Sequence, residues 1–324
     1  MNASKRFLAC GLLLATAWTT GCPPAMPRTR LPLAEIVGQY NRNAARVPQL
    51  WARAKIEPTY HGMSLGSLVP WDELSFVLVL FKNEDRLGPQ DFVLVGSVAG
   101  VQLSRIGCST ADGAYYFWHD GNKPALYWGR NRLAGAPGVD ALPIDPLQIL
   151  AILSICELPG DLTQLPAVAL SMNTTPGEYA YVVTYLARQP VSNRILFRRE
   201  VHFNWSDDKK PRPFRVDLFD GEGMRVLTAD LSDYRPIERV FSEGRSDYRA
   251  TMAEREKPAP EMPTDIRIRW PGTAKGIRIV LSEMRIDPAG GGELKACLLW
   301  DKLPDHIARR PPVDRDVEHG AGTR

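Results

Sequence analysis

The sequence has little of what marks enzymes, nucleic-acid binders or disulfide-rich proteins. It contains only 5 cysteines and 5 histidines in 324 residues, and their spacing matches no zinc motif. Its 40 basic and 37 acidic side chains give a net charge of +3, which is too balanced for a protein dedicated to nucleic acid. No apolar run reaches the roughly 20 residues that a membrane-spanning helix requires. With 44% hydrophobic residues, the composition is that of a globular protein, and disorder throughout is excluded.

The amino terminus has the organisation of a secretory signal. Basic residues at 5–6 precede an apolar run over 7–18, and Gly21 and Cys22 follow it. The run is too short to span a bilayer. The Gly21 and Cys22 pair resembles the lipobox of bacterial lipoproteins, although Thr19 stands where that family usually has Leu. The resemblance implies cleavage before Cys22 and lipidation of that cysteine; ordinary secretion with a free Cys22 is the alternative.

The mature chain would carry almost no net charge and few thiols. Cleavage would remove two basic residues and no acidic ones, which takes the net charge from +3 to +1. Residues 22–30 would then be a lipid-anchored tether, since prolines and arginines prevail there. Three cysteines remain apart from the lipidated one, Cys108, Cys156 and Cys297. They allow at most one disulfide, so no disulfide framework holds the fold.

Hydrophobic periodicity predicts one amphipathic helix followed by strands. Apolar residues recur at helical spacing from Leu33 to Val47, and Pro48 ends that pattern. Alternation with period two then predicts antiparallel strands joined by short turns, a meander in the first set. The predicted strands cover 51–60, 74–82, 91–98, 101–109, 113–119 and 124–129, and then 178–187, 193–205, 213–219, 224–234, 264–270 and 276–286. Residues 236–263 are expected to form a mobile loop, and residues 306–324 a disordered tail.

A strongly apolar segment at 142–162 separates the two sets of strands. Asp145 is a favourable N-cap and Pro146 suits the first helical position. Pro159 and Gly160 would end the helix. Because a helix with so few polar residues is buried on nearly all sides, we expect residues 146–158 to lie inside a curved sheet.

This order of elements resembles the LolA/LolB-like superfamily, the outer-membrane lipoprotein carriers and receptors of bacteria. The likeness covers residues 31–305 and rests on the element order, on Ile144-Asp145-Pro146-Leu147 opening the buried helix, and on the closing strand at 276–286. It implies an α+β, mainly β fold, in which an unclosed antiparallel β-barrel of about 11–12 strands wraps around a buried apolar helix. No counterpart of the carrier's gating residues is found, and the loop at 236–263 has no role in that family.

The resemblance also implies a function without chemistry. It predicts a cell-envelope protein at the outer membrane, facing the periplasm, that is held to the membrane through Cys22 and binds lipid or lipoprotein acyl chains. We expect a monomer with no cofactor, no metal, no catalytic residue and no nucleic-acid partner. Arg199 lies in the apolar row of its strand and could reach an ester or phosphate group; a strand bulge or a salt bridge at the rim is the alternative. The residues expected to line the lipid site are Leu147, Leu150, Leu153, Phe197, Arg199 and Phe203.

Two other functions remain open. A barrel filled by its own side chains would make a structural or interaction lipoprotein with no ligand. The segment Gly62-Met63-Ser64-Leu65-Gly66 matches the nucleophile motif of serine hydrolases, but that motif requires an alternating α/β chain, so a flexible loop is favoured over catalysis by Ser64. All five histidines, His61, His119, His202, His306 and His319, are expected at the surface.

Overall fold

The computed structural model describes most of the chain outside its amino terminus. The described residues are 30–58, 75–82, 90–120, 125–131, 149–150, 152–160, 167–175, 179–188, 195–205, 210–239, 257–273, 276–286 and 313–314.

One long helix and fifteen strands are present in these segments. Helix α1 covers Leu33–Ala45. The strands are β1 (Gln49–Pro58), β2 (Ser75–Phe81), β3 (Asp91–Val98), β4 (Val101–Ser109), β5 (Ala114–His119), β6 (Ala125–Arg130), β7 (Ala167–Asn173), β8 (Ala180–Arg188), β9 (Ile195–Asn204), β10 (Pro213–Phe219), β11 (Arg225–Pro236), β12 (Glu238–Arg239), β13 (Glu261–Arg269), β14 (Gly276–Ile286) and β15 (Val313–Asp314). All twelve strands predicted from alternation are present, whereas β7, β12 and β15 are additional.

All fifteen strands belong to one sheet that does not close. The strand order is β15-β6-β5-β4-β3-β2-β1-β14-β13-β11-β10-β9-β8-β7, and β12 pairs with β14 outside this path. The first six strands form the predicted antiparallel meander. The two halves of the chain meet where β1 pairs with β14, for instance Ile56 opposite Ile279. Because β7 and β15 end the order without pairing to each other in the described residues, the barrel is unclosed.

One face of the sheet is apolar across both halves of the chain. Facing residues such as Ile56 and Ile279, or Val183 and Val201, are 5% exposed or less and belong to one hydrophobic cluster. The opposite face carries charged pairs, including Arg278 between Glu57 at 3.0 Å and Asp265 at 2.9 Å. Over β1, β13 and β14 the sheet therefore has the apolar inner face and polar outer face that are typical of antiparallel structure. A second, smaller apolar cluster lies on β5 and β6 and consists of Ala114, Tyr116, Trp118 and Leu126.

Helix α1 covers part of the apolar face, as its periodicity predicts. Ile36, Val37, Tyr40 and Ala44 are buried, and Tyr40 packs edge-on against Phe203 of β9 with ring centroids 5.8 Å apart. The helix ends before Pro48, whose carbonyl accepts a hydrogen bond from Lys82 N at 2.9 Å. No helix in the described residues is long and apolar enough to cross a membrane.

The apolar segment after the sixth strand is buried, but it is less helical than predicted. Residues 149, 150 and 152 are helical, and one turn is closed by the hydrogen bond from Leu153 N to Ile149 O at 3.2 Å. Ser154 has φ of +57°, which takes the backbone out of the helix before Pro159 is reached. The predicted burial is confirmed, since Ile152, Leu153, Ile155 and Leu158 are 1% exposed or less; residues 142–148, 151 and 161–162 lie outside the described segments.

Two segment boundaries also differ from the sequence prediction. Strand β13 begins at Glu261 rather than 264, because Met262 is fully buried and Asn43 of α1 bonds both backbone groups of Glu261, at 2.7 and 2.9 Å. Two residues of the tail expected to be disordered, Val313 and Asp314, pair in parallel with β6. Of the loop expected at 236–263, residues 240–256 lie outside the described segments.

Candidate functional site

The apolar inner face of the sheet, called the concave face from here on, brings together the predicted interior residues that the structure describes. Leu150, Leu153 and Phe203 are 5% exposed or less and lie in the same hydrophobic cluster as α1 and both halves of the sheet. Arg199 is on the same face of β9 as Phe203, with one buried residue, Val201, between them. Leu147 lies outside the described residues, and of Phe197 only the backbone is described, opposite Ala187. Four of the predicted residues thus lie in the interior or on the strand face that points to it, and their role in binding lipid stays a prediction.

Polar contacts attach the inner segment to α1. Tyr40 Oη donates to the carbonyl of Cys156 at 2.9 Å. Asn41 makes two bonds to Leu158, from Nδ2 to the carbonyl and from the Leu158 amide to Oδ1, both at 2.8 Å. The inner segment, defined as residues 152–160, contributes no strand pairing in the described part of the sheet. The helix and the inner segment therefore form a cover over the concave face, and the bonds between Asn43 and Glu261 join this cover to β13.

Arg199 has an unusual position for an arginine. Its cross-strand neighbours are Tyr185 of β8 and Leu218 of β10, which are 5% and 4% exposed. Although the residue is half-buried as a whole, its Nε and Nη2 atoms are shielded from solvent and have no hydrogen-bond partner in the described residues. A buried donor without an acceptor costs free energy, so this guanidinium presents unfulfilled donors to the interior.

The charge on Arg199 acts on three groups around it. Burial raises the pKa of the Tyr40 hydroxyl, the Tyr185 hydroxyl and the Cys156 thiol, and the positive charge on Arg199 opposes each rise. All three groups therefore stay neutral at physiological pH. The Tyr40 hydroxyl is a polar contact of Arg199. Since all three groups are neutral, none of them forms an ion pair with Arg199, and these neighbours supply no anionic partner.

Sequence reasoning missed the polar groups of the cover and of the neighbouring strand. Tyr40 was identified only as an apolar position of the helix, and Tyr185 and Ser154 were not singled out. The Oη atom of Tyr185 and the Oγ atom of Ser154 are buried without a hydrogen-bond partner in the described residues. These groups could have been found from the sequence as polar side chains in otherwise apolar segments, which is how Arg199 is identified.

Among the described residues, the outer face carries one cluster of side chains that could ligate a metal ion. Glu200 and His202 of β9 and Asp217 of β10 place one ligand atom each within 4.8 Å of the others. His202 Nε2 lies 3.1 Å from Asp217 Oδ2 and 3.8 Å from Glu200 Oε2. Arginines flank the cluster, with Arg198 Nε 3.2 Å from Glu200 and Arg225 Nη1 3.9 Å from Asp217. The two carboxylates are thus already neutralised by side chains, which favours an ion-pair network over a metal centre.

We expect the Asp217 carboxylate to stabilise the fold in a pH-dependent way. Burial raises the pKa of Asp217, but bonds from His202 and Thr228 and the charge on Arg225 outweigh it, so the pKa lies below its usual value. A depressed folded-state pKa gives stability that is complete above the unfolded pKa and is lost as the pH falls through the folded pKa. Asp217→Asn should lower the free energy of unfolding by about 1.5–3 kcal/mol at pH near 7.

Urea denaturation measures this effect. The difference between wild type and Asp217→Asn should shrink when the pH falls below about 4, because the wild-type carboxyl then becomes protonated. Glu222→Gln removes the same charge at an exposed turn and serves as the control, with an expected change within about 0.5 kcal/mol. A difference that stays constant over this pH range would contradict the assignment.

The expectation that all histidines lie at the surface is wrong for His119. This residue is 8% exposed, and its ring stacks with Phe117 and Tyr127 at centroid distances of 5.5 and 6.5 Å. Burial lowers the pKa of His119, and the nearby Asp120 partly offsets this. The alternation of β5 places His119 and Phe117 on one face, and the curvature of the sheet then covers that face. His202 is mostly buried too, at 16% side-chain exposure.

Several predicted features lie outside the described residues. Among these are the lipidation site Cys22, the serine motif around Ser64, and Cys297. Cys108 and Cys156 are both free thiols. The lipobox, the hydrolase alternative and any bond to Cys297 therefore stay predictions.

Comparison with known proteins finds similarity at the level of structure only. No family model and no curated protein matches the sequence. A solved outer membrane lipoprotein-sorting protein domain from Vibrio parahaemolyticus is 11% identical, with a TM-score of 0.46 over 82% of this chain and 97% of that one. A DUF1329 family protein from Desulfovibrio piger is 12% identical, with a TM-score of 0.49 over 83% and 100%. A LolA superfamily protein from Nitrosomonas europaea is 11% identical, with a TM-score of 0.43 over 79% and 94%.

All three identities are 12% or lower and all three TM-scores lie below 0.5, so these structures by themselves carry no conclusion about this chain. The features of the LolA/LolB-like fold are present in the chain itself: a helix before the first strand, an unclosed antiparallel sheet, and an apolar inner segment between the two sets of strands. The chain is thus similar in fold to the LolA/LolB-like superfamily that its sequence resembles.

Proposed function

We propose that this protein is a cell-envelope lipoprotein, anchored through Cys22, that binds lipid or lipoprotein acyl chains non-covalently on the concave face of its sheet. The observation that carries the proposal is Arg199. Its Nε and Nη2 donors are unfulfilled in an apolar interior, and an ester or phosphate oxygen of a lipid would supply the missing acceptor. An apolar ligand with one polar group fits this combination of surfaces.

The cover supports a mechanism in which acyl chains enter between it and the sheet. Three hydrogen bonds join the inner segment to α1, through Tyr40 and Asn41, so the two can move together without breaking a strand pair. Each methylene that is transferred from water to the apolar face gains about 0.8 kcal/mol. The acyl chains would thus replace contacts that the cover makes with the sheet in the closed form.

Lipid that remains with the purified protein tests the binding. We expect native mass spectrometry of the full-length protein, followed by lipid extraction, to detect about one bound lipid per chain, because one concave face is present per chain. Incubation with added phospholipid should restore this lipid after it has been stripped. A protein that stays empty after this incubation would indicate an interior filled by its own side chains, which is the structural lipoprotein without a ligand.

Fractionation of cells tests the anchor. We expect Cys22→Ser to move the protein from the membrane fraction to the soluble fraction, because the lipidated residue is lost. Cys10→Ser is the matched control, since this cysteine lies within the signal, and its membrane association should be unchanged. A Cys22→Ser protein that stays with the membrane would overturn the anchor.

The hydrolase alternative has its own test. A fluorophosphonate probe labels an activated serine, so we expect no labelling of Ser64 in the proposed carrier. Labelling that disappears in Ser64→Ala would replace the proposal by an enzymatic function.

A further inference from the structure

A separate cavity opens at the rim of the sheet, beside the cover. Its volume is about 340 Å³, and it lies between α1, the start of β10 and the start of β13. Tyr40 lines this cavity and also packs against Phe203 in the interior, with ring centroids 5.8 Å apart. Ser154 of the inner segment lines it as well. The cavity is thus next to the proposed acyl site, separated from it by the ring of Tyr40.

The lining of the cavity is strongly basic. Arg42, Arg46, Lys210 and Arg212 contribute four positive charges, and Glu261 contributes the single negative one. Glu261 is paired with Arg212 at 2.6 Å. Arg42 has no ion pair or hydrogen bond with any other described residue. The carbonyl end of α1 adds only a partial negative charge, so the described part of the lining carries more basic than acidic side chains and favours an anion.

The floor of the cavity holds a buried hydroxyl group. Ser154 is 4% exposed, and its Oγ lies beside the hydroxyls of Tyr40 and Tyr234, where it partly offsets the rise in pKa that burial gives to both tyrosines. The two tyrosines use their own protons elsewhere, Tyr40 on the carbonyl of Cys156 at 2.9 Å and Tyr234 on the carbonyl of Pro213 at 2.5 Å. Ser154 also has φ of +57°, a conformation that a serine adopts only where its surroundings impose it. A buried donor is therefore held at the cavity floor.

We infer that this cavity binds the phosphate group of an anionic ligand. The inference rests on the proposed function and deepens it: the acyl chains lie on the concave face, and the phosphate of the same lipid lies in the basic cavity. Guanidinium groups bind phosphate oxygens in pairs of charge-assisted hydrogen bonds, and Ser154 Oγ supplies a further donor at the floor. A soluble phosphate ester has the same chemistry, so the experiment has to separate the two sources.

A competition between two lipids tests the inference. The full-length protein in a nonionic detergent is loaded with an equimolar mixture of phosphatidic acid and diacylglycerol that carry identical acyl chains, and bound lipids are counted by native mass spectrometry. Wild type should prefer phosphatidic acid by at least about tenfold, and Arg42→Gln should lose this preference. Arg267→Gln, which removes an exposed arginine from β13 outside the cavity, should keep it. Glycerol 3-phosphate and inorganic phosphate are added in parallel as soluble competitors.

A second variant separates binding from folding. Ser154→Ala removes a buried hydroxyl whose neighbours Tyr40 and Tyr234 keep their bonds to backbone carbonyls, so the melting temperature should change little, while the preference for phosphatidic acid should drop by about tenfold. A drop in this preference without a drop in thermal stability is not expected of a serine with a purely structural role.

The outcomes of this competition distinguish the phosphate site from the proposed binding of acyl chains. Equal binding of both lipids by wild type would overturn the phosphate site and leave acyl-chain binding intact. Binding of glycerol 3-phosphate that Arg42→Gln abolishes, with no lipid bound, would keep the phosphate site, assign it to a soluble ester and overturn the proposed function. Binding of neither lipid nor phosphate would overturn both.

Discussion

Replacing Arg199 by leucine should stabilise the protein and abolish lipid binding. The Nε and Nη2 donors of Arg199 are buried without a partner in the described residues, and the neighbouring side chains Tyr185 and Leu218 are buried and carry no charge. A leucine removes the unfulfilled donors, so the free energy of unfolding of the delipidated protein should rise by about 1–3 kcal/mol. The affinity for an ester- or phosphate-bearing lipid should fall by at least about tenfold.

The preceding residue offers a matched control. Arg198 points to the outer face, where its Nε lies 3.2 Å from Glu200 and its guanidinium carbon lies 3.9 Å from the centre of the Phe219 ring. Arg198→Leu should leave lipid binding unchanged, because this side chain lies on the outer face, and should not raise the stability, because it removes the ion pair with Glu200 and the contact with the Phe219 ring. Urea denaturation of the delipidated proteins measures the stability, and native mass spectrometry with added phospholipid measures lipid binding. A less stable Arg199→Leu protein that still binds lipid would show that Arg199 has only a structural role.

Replacing Phe203 by alanine should cause the largest loss of stability. The ring is fully buried and joins three parts of the fold, since it packs against Tyr40 of α1 while its strand pairs with Tyr181 of β8 and Pro213 of β10. Truncation of a buried phenylalanine costs about 3–5 kcal/mol through lost burial and the remaining cavity. We therefore expect urea denaturation to give a free energy of unfolding that is lower by this amount.

Two controls distinguish the loss of packing at this site from the loss of an apolar side chain anywhere in the protein. Phe203→Leu keeps an apolar side chain at the site and should cost about half as much or less. Met224→Ala removes an apolar side chain that is 68% exposed, and its effect should stay within about 0.5 kcal/mol. If Phe203→Ala changed the stability as little as Met224→Ala does, α1 would not pack on β9 in solution, and the cover would have to be rejected.

Much of the fold follows from local pattern. The helical spacing of Ile36, Val37, Tyr40 and Ala44 predicts α1 and its buried face, because periodicity directly reports which side of an element avoids water. Alternation likewise predicts twelve strands, which are all the strands of six or more residues except β7. Strand β7 escapes prediction because its apolar residues Val168, Leu170 and Met172 are only partly buried at the edge of the sheet.

The position of Arg199 is also a consequence of local pattern. Alternation along β9 places it in the row of Val201 and Phe203, and the structure confirms this row. The predicted extent of the inner helix is wrong. The apolar composition of the segment predicts its burial, but it does not show that Ser154 takes a positive φ and ends the helix there. That conformation depends on contacts from α1, which are distant in the chain.

The sequence by itself determined most of the elements and the row to which each side chain belongs, because these depend on residues within a few positions of one another; the export signal stays a prediction. Only the tertiary structure decided which rows meet. The pairing of β1 with β14, the grouping of Glu200 and His202 with Asp217, and the basic cavity between α1, β10 and β13 join residues that are far apart in the chain. Their partners are selected by the packing of the sheet around one core, which is a cooperative property of the whole chain.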